Sequence, residues 1–328
     1  MSRAVVTGGA GFLGSALCDA LIVRDMHVTC IDNLSSGRMS NVAHLLNRQN
    51  FTFVKHDVVE PFPEIEADLV FNLACPASPV FYQSDPIKTA KTAAFGTLNG
   101  LEFAKRSAAQ FFQASTSEIY GDPEVHPQPE TYQGNVSTTG PRACYDEGKR
   151  FGESLCFDFH RMSGLEIKVV RIFNTYGPRM QVADGRVVSN FIVQALRGDP
   201  ITIYGDGSQT RSFCYVSDLI DAFLAVSETP KGETGPFNIG NPEEITVLEL
   251  ATHILDTIGE PEKLVFVDAA KDDPQRRKPD ISKVTATTGW QPQVGLRAGL
   301  DATIEYFRTA IMLSERPTPI ARPSWTVA

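Results

Sequence analysis

The chain has 328 residues, 42% hydrophobic and 21% charged, which is enough for one large or two modest domains around a real core. Its net charge is −9 and its one short basic run is Arg276-Arg277-Lys278, so nucleic acid is a poor partner. No apolar stretch approaches the roughly 18 residues of a spanning helix, and glycines interrupt the N-terminus before it can read as a signal peptide, so a cytoplasmic protein with no membrane partner is expected.

In chain order, strand-like runs alternate with helical patterns. Ala4–Val6 leads into a glycine turn, and Ser15–Val23 is predicted as a helix. Strands are predicted at His27–Ile31, Phe51–Val54 and Asp68–Leu73. A long helix over Pro86–Arg106 precedes a strand at Gln110–Ala114. A second long helix, Tyr145–Ser163, precedes a strand at Glu166–Ile172. Alternation of this kind implies right-handed crossovers and a parallel sheet, with ligands bound beyond the carboxyl ends of its strands.

After about residue 175 the alternation breaks up, and turns such as Gly205-Asp206-Gly207-Ser208 separate short elements. The expected architecture is α/β: a Rossmann-type doubly wound parallel sheet with a smaller C-terminal substrate-binding α/β region. Residues 1–175 would form the dinucleotide-binding domain, with a returning segment near 215–240. Residues 176–328 would mainly bind substrate, interleaved with the first region, and the proline-rich 316–328 would be a loose tail.

Six cysteines are scattered without a Cys-x-x-Cys pair, several inside apolar runs such as Val28–Ile31. They read as small hydrophobes in a reducing compartment, and no histidine or cysteine set has metal-ligand spacing, so no metal is expected.

The first turn reads Thr7-Gly8-Gly9-Ala10-Gly11-Phe12-Leu13-Gly14. Its glycines let the backbone turn tightly and approach a pyrophosphate seated on the next helix's N–H groups. Eighteen residues past Gly14 comes Asp32, a carboxylate suited to ribose hydroxyls and repulsive to a 2′-phosphate. NAD is therefore favoured over NADP, although Arg38 lies nearby. A glycine fingerprint alone is weak; strand, helix and acid at the expected distance give it the required context. Asp57-Val58, after another strand, is placed as an adenine-edge contact by position.

Tyr145 and Lys149 are four residues apart on a predicted helix, so they share a face. A tyrosine hydroxyl is a poor base at neutral pH, and a neighbouring ammonium lowers its pKa toward use. Alone, the pair would read as an ordinary surface Tyr and Lys. Ala114-Ser115-Thr116-Ser117-Glu118, closing a strand, adds hydroxyls and an acid at the cleft rim.

Together, the glycine-rich start, the Ser-Thr strand end and Tyr-x-x-x-Lys resemble the extended short-chain dehydrogenase/reductase family acting on nucleotide sugars. The resemblance covers nearly the whole chain. Longer stretches are similar to the UDP-glucuronate decarboxylases, also called UDP-xylose synthases, of that family. They are Ala77-Ser78-Pro79, Gly140–Arg150, Ile172–Arg179, Asp184–Phe191, Tyr204–Arg211 and Asp272–Asp280. Two departures stand out: Cys75 in place of the usual serine, and no asparagine in Thr92-Ala93-Ala94-Phe95.

The resemblance implies catalytic roles for Thr116, Glu118, Tyr145, Lys149 and Arg277. It implies a cofactor set of Gly8, Gly11, Phe12, Leu13, Gly14, Asp32, Asn33, Ser36, Gly37, Arg38, Asp57 and Val58, with Tyr145 and Lys149. Asn174, Arg186, Tyr204 and Arg211 would hold the UDP part, and Lys91 and Arg277 would meet the sugar carboxylate. The implied reaction is a temporary oxidation at C4, loss of carbon dioxide from the 4-keto acid, reprotonation of C5 through Glu118 and Arg277 with water, and re-reduction by retained cofactor. It also implies a homodimer built on a four-helix bundle. Rival readings are a 4-epimerase or 4,6-dehydratase of the same family, a reductase with net turnover of free NADH, and a cofactor-sensing binding protein. Glu118 and Arg277 speak against the epimerase, and the absent Asp after Thr116 against the dTDP-type dehydratase.

Overall fold

The computed structural model describes residues 1–268 and 276–314. The proline-rich tail and the Asp272–Gln275 part of the family-like segment lie outside the described residues.

β1 (Arg3–Thr7) runs into the glycine turn and α1 (Phe12–Val23), followed by β2 (His27–Asp32), β3 (Phe51–Lys55) and β4 (Leu69–Asn72). α2 (Pro79–Ser84) and the long α3 (Pro86–Ser107) lead to β5 (Gln110–Thr116). A 3-10 turn over Ser117–Tyr120 and a loop precede α4 (Ala143–Ser163) and β6 (Ile167–Ile172). The remaining elements are β7 (Thr175–Tyr176), α5 (Val187–Arg197), β8 (Ile201–Tyr204), β9 (Thr210–Ser212), β10 (Cys214–Tyr215), α6 (Val216–Ser227) and β11 (Phe237–Ile239). After them come β12 (Glu244–Thr246), α7 (Val247–Ile258), β13 (Leu264–Val267), β14 (Arg276–Arg277), α8 (Ser282–Thr288) and α9 (Leu296–Ser314).

The main sheet is parallel in the order β11-β6-β5-β4-β1-β2-β3. The chain winds outward from β1 in one direction and then, through β4, in the other. The strand order therefore reverses between β1 and β4, and a crevice opens there beyond the carboxyl ends. Buried polar side chains stitch this edge: Thr7 Oγ1 donates to Asn72 Oδ1 (2.7 Å), and Asn72 Nδ2 to Gln113 Oε1 (2.9 Å).

Apolar side chains fill both faces. Leu17, Leu21, Leu219 and Phe223 pack α1 and α6 on one, while Leu101, Phe103, Phe111 and Cys156 pack α3 and α4 on the other. Fully burying a side chain such as Phe111 or Phe223 contributes about 1.5–3 kcal/mol over leaving it exposed. α3 starts cleanly because Asp85 accepts from the Lys88 N–H (2.9 Å) and Pro86 occupies the first turn. α4 stops where Gly164 takes a left-handed φ of 67°.

A third cluster, with Phe191, Ile192, Ile201, Leu250, Ile254 and Phe307, joins α5, α7 and α9. Beside it lie two small sheets, β12-β9-β14 and β13-β8. The first of these brings Arg277 toward the end of β5, because β14 pairs with β9 in the register Arg277↔Arg211.

Candidate active site

A cavity runs from the glycine turn across the carboxyl ends of β1, β2, β4 and β5 to the start of α5. Gly8, Gly11, Phe12, Leu13 and Gly14 line one end, with Asp32, Asn33, Ser36, Gly37 and Val58. Thr116, Glu118, Tyr145, Lys149, Asn174 and Arg186 line the other.

The turn is tight for a reason visible in its atoms. A Cβ on Gly14 would lie 2.1 Å from the Gly8 carbonyl oxygen, so only glycine lets α1 begin this close to β1. Asp32 closes the neighbouring strand. Its carboxylate accepts from the Ala10 N–H (3.0 Å) and the Leu34 N–H (2.7 Å), while burial raises its pKa. The Gly37 backbone passes so close that a Cβ there would meet Asp32 Oδ2 at 2.6 Å. A glycine cradle at a helix start and a carboxylate at the next strand end fit a dinucleotide.

Two members of the expected cofactor set stand behind this wall. Arg38 donates to Gln181 Oε1 (3.0 Å), and Gln181 is a lining residue that the sequence reading missed. Asp57 accepts from Lys88 Nζ (2.6 Å) and Asn33 Nδ2 (3.1 Å). Burial opposes its charge, but Lys88 and these donors hold it below the usual carboxylate range.

At the other end, Tyr145 is buried on the first turns of α4, with its ring stacked on Tyr82 at 5.1 Å and 3°. Burial raises its pKa, and a hydrogen bond with the Thr116 side chain works the other way. Lys149, one turn on, places Nζ 5.9 Å from the Tyr145 ring centre and donates to the Ala114 carbonyl (2.8 Å). The strand end thereby fixes the ammonium beside the phenol.

Glu118 is gripped by two guanidinium groups. Arg277 Nη1 donates to Oε1 (2.5 Å), and Arg142 Nη2 donates to Oε2. Burial works against the charge of Glu118, yet Arg277 and Arg142 overcome it and hold the carboxyl at about 2. At neutral pH Glu118 carries no proton to give. Near neutrality the group is thus an ionised partner of the two arginines. Among the described residues, buried Arg277 Nη2 has no hydrogen-bond partner, a donor beside the clamp. Asp146 is also buried, and its Oδ1 has no partner among the described residues. Burial and then the Glu118 charge push its pKa up to about 7.

The other substrate candidates are more spread. Asn174 lines the cavity. Arg186 also lines it, but it pairs with Asp184 and lies 5.9 Å from the Phe12 ring, beside the glycine turn. Arg186 also lies near Tyr145 and Glu118, so it reaches toward both ends of the cavity. Lys91 is exposed and outside the lining, whereas Lys88 and Thr92 line the cavity. At roughly 100° per residue, Lys91 lies a quarter-turn away from Thr92. Tyr204 is half exposed at the end of β8, and the buried Arg211 pairs in register with Arg277; neither lines the cavity. Arg142, Tyr82 and Asp146 are the catalytic-end residues that sequence reasoning assigned no role. Arg142 sits three residues before Tyr145, at the cap of α4, and that spacing was the available signal.

A family model described as the NAD dependent epimerase/dehydratase family matches residues 4–240. The chain belongs to that family. UDP-glucuronic acid decarboxylase 4 of Arabidopsis thaliana is 54% identical over 310 residues, covering 94% of this chain and 69% of that protein. UDP-glucuronic acid decarboxylase 1 of Xenopus tropicalis is 52% identical over 306 residues, covering 93% and 72%. Among solved structures, the UDP-glucose 4-epimerase of Thermotoga maritima with UDP-glucose is 34% identical, with a TM-score of 0.86 over 94% of this chain and 99% of that one. The UDP-glucuronic acid 4-epimerase of Bacillus cereus, with UDP-glucuronic acid and NAD, is 29% identical, with a TM-score of 0.82 over 94% and 99%. The fold is thus shared with epimerases, while the higher identities are to decarboxylases. Among the described residues no helix is long and apolar enough to cross a membrane.

Proposed function

We propose that this enzyme decarboxylates UDP-glucuronate to UDP-xylose with a retained NAD. The observation that carries the reading is the Glu118 carboxylate held between Arg277 and Arg142, next to the Thr116–Tyr145–Lys149 group. An alcohol-handling pair alone would serve an epimerase; a positively charged clamp beside it suits a sugar that carries a carboxylate.

A sugar acid with a C4 hydroxyl has nowhere to place the electrons of a departing carboxylate, whereas a C4 carbonyl accepts them. NAD, when bound, supplies that reversible oxidation at C4. Tyr145 accepts the C4 hydroxyl proton, with Lys149 favouring the phenolate. As the C5–C6 bond breaks, its electrons pass to the C4 oxygen, carbon dioxide leaves, and Thr116 and Tyr145 donate to the enolate oxygen. Arg277, through the Nη2 that no described residue engages, orients the carboxylate before it departs. C5 then takes a proton from water held by the ionised Glu118, a solvent proton neutralises the hydroxide left, and as C4 is reduced again Tyr145 returns its proton to the C4 oxygen.

In this reading residues 1–175, with a return near 215–240, hold NAD. The region from 176 onward mainly holds the nucleotide sugar, with Tyr204 and Arg211, joined by Asn174 from the first region, on the UDP part. The enzyme works as a homodimer in the cytoplasm. Exposed Phe95 and Phe151 on the packed helices α3 and α4 support a four-helix interface, and six free cysteines suit a reducing compartment.

Purified protein incubated with UDP-glucuronate should release carbon dioxide and UDP-xylose in equal amounts without consuming added NAD. Formation of UDP-galacturonate with no carbon dioxide would replace this reading with the epimerase one.

A further inference from the structure

The guanidinium of Arg277 comes from β14, a strand of two residues. Such a short strand cannot hold a buried arginine in place by its own ladder. Gln128, in the loop between the 3-10 turn and α4, is fully buried and grips the chain just after it. Its N–H donates to the Lys278 carbonyl (2.9 Å), and the Asp280 N–H donates to its carbonyl (3.0 Å). Its side-chain Oε1 accepts from the Lys278 N–H (2.9 Å), while Nε2 donates to the Val125 carbonyl (2.7 Å). From the opposite side, buried Ser212 donates its hydroxyl to the Arg277 carbonyl (3.2 Å).

Gln128 is also the end of a buried polar chain that reaches the catalytic helix. Asn238 Nδ2 donates to the Gln128 carbonyl (2.9 Å), and Asn238 Oδ1 accepts from the Tyr120 hydroxyl (2.8 Å). That hydroxyl accepts from Arg171 Nη1 (3.0 Å), and Arg171 forks onto Glu153 (2.8 Å). Glu153 lies on the same face of α4 as Tyr145 and Lys149, at four-residue intervals, and accepts from Ser115 Oγ on β5 (2.5 Å). One satisfied network thus ties together the three separate pieces that carry Tyr145, Glu118 and Arg277.

We propose that Gln128 and Ser212 are positioning residues for Arg277, setting where its guanidinium meets Glu118 and the substrate carboxylate. The proposal rests on the decarboxylase reading. It assigns them to the carbon dioxide step and not to oxidation at C4, which belongs to Tyr145.

The test compares Gln128→Met, Ser212→Ala and Arg277→Lys with their double variants. After mixing NAD-loaded enzyme with UDP-glucuronate, two signals are followed: the near-ultraviolet absorbance of reduced nicotinamide and the release of carbon dioxide. In Gln128→Met the reduced cofactor should form at the wild-type rate and decay slowly, with carbon dioxide release down about ten- to hundredfold, the scale set by a misplacement near 1 Å. Adding Gln128→Met to Arg277→Lys should cost nothing further, because both act through the same guanidinium. Losses that multiply, or equal slowing of both signals, would overturn the proposal. If Gln128→Met does not fold, Ser212→Ala decides by the same cycle, since it deletes one oxygen atom. A wild-type enzyme that released no carbon dioxide would sink the functional reading and this proposal with it, a result unlike a Gln128 variant that matches an active wild type.

Discussion

Replacing Asp146 by asparagine should change how stability depends on pH, in a direction and size that follow from its surroundings. The carboxyl is buried in the first turns of α4, where burial and the Glu118 charge raise its pKa from 3.8 to about 7. Between those values the folded protein binds a proton that the unfolded chain has released. Stability must therefore fall as pH rises through that window, and stay level outside it, as far as this group is concerned. The gap of 7 − 3.8, about 3 pKa units, corresponds to about 4 kcal/mol at 1.36 kcal/mol per unit. Between pH 5 and pH 7 alone the share is about 2 kcal/mol, because the group is still half protonated at pH 7. Asparagine has nearly the shape of the protonated acid and does not titrate. Urea unfolding of both proteins at pH 5 and pH 8 should thus show the Asp146→Asn variant gaining about 2–3 kcal/mol on wild type at the higher pH. Every other titrating group is common to both and cancels. A stability difference that stays constant with pH would refute the argument.

Tyr145→Phe should lower decarboxylation by at least about 10²–10⁴-fold while leaving bound NAD in place, read from the nucleotide released on denaturation. Gly14→Ala should lose NAD, because the contact at 2.1 Å is with backbone and no flexible atom can give way; nucleotide content and a thermal melt with added NAD would report it. Arg171→Met leaves Glu153 buried without its forked partner and should cost about 3–5 kcal/mol in urea unfolding, more than the double variant with Glu153→Gln. Glu118→Gln should abolish carbon dioxide release. Its stability deficit should be full above the unfolded pKa near 4.5 and shrink as pH falls toward the folded value of about 2.

What the sequence made legible was local in the chain. The glycine turn, Asp32 at the next strand end and the Tyr145–Lys149 spacing each depend on neighbours a few residues away, and backbone geometry follows from them. The parallel, doubly wound sheet followed too, since alternation with long helices leaves few windings. Positions that depend on distant chain were harder. Arg142 and Arg277 meet on Glu118 although Arg277 is 159 residues away, and no periodicity marks such a meeting. Lys88 and Lys91 lie about 60° apart around α3, so which of them lines the cavity turns on the helix's rotation about the sheet. Gln181 reaches Ser36 and Arg38 across a fold-level gap. The family resemblance supplied Glu118 and Arg277 as partners in chemistry, while the state of Glu118 needed its surroundings: only two arginines in contact hold a half-buried carboxyl at about 2.

The charge of this cluster bears on why Asp146 holds its proton up to about pH 7. Glu118 contributes one negative charge, Arg142 and Arg277 one positive charge each, so the clamp carries one net positive charge while Asp146 keeps its proton. Under the proposed reaction that surplus matches the substrate carboxylate on arrival. After carbon dioxide leaves, the same charge faces the enolate. An ionised Asp146 would cancel it, and a second buried carboxylate near Glu118 would also raise the cost of the first. The substrate's own charge works the same way, because a carboxylate entering beside Glu118 further disfavours ionisation of Asp146. Burial of Asp146 thus favours its neutral form and works to keep the clamp cationic below its pKa of about 7.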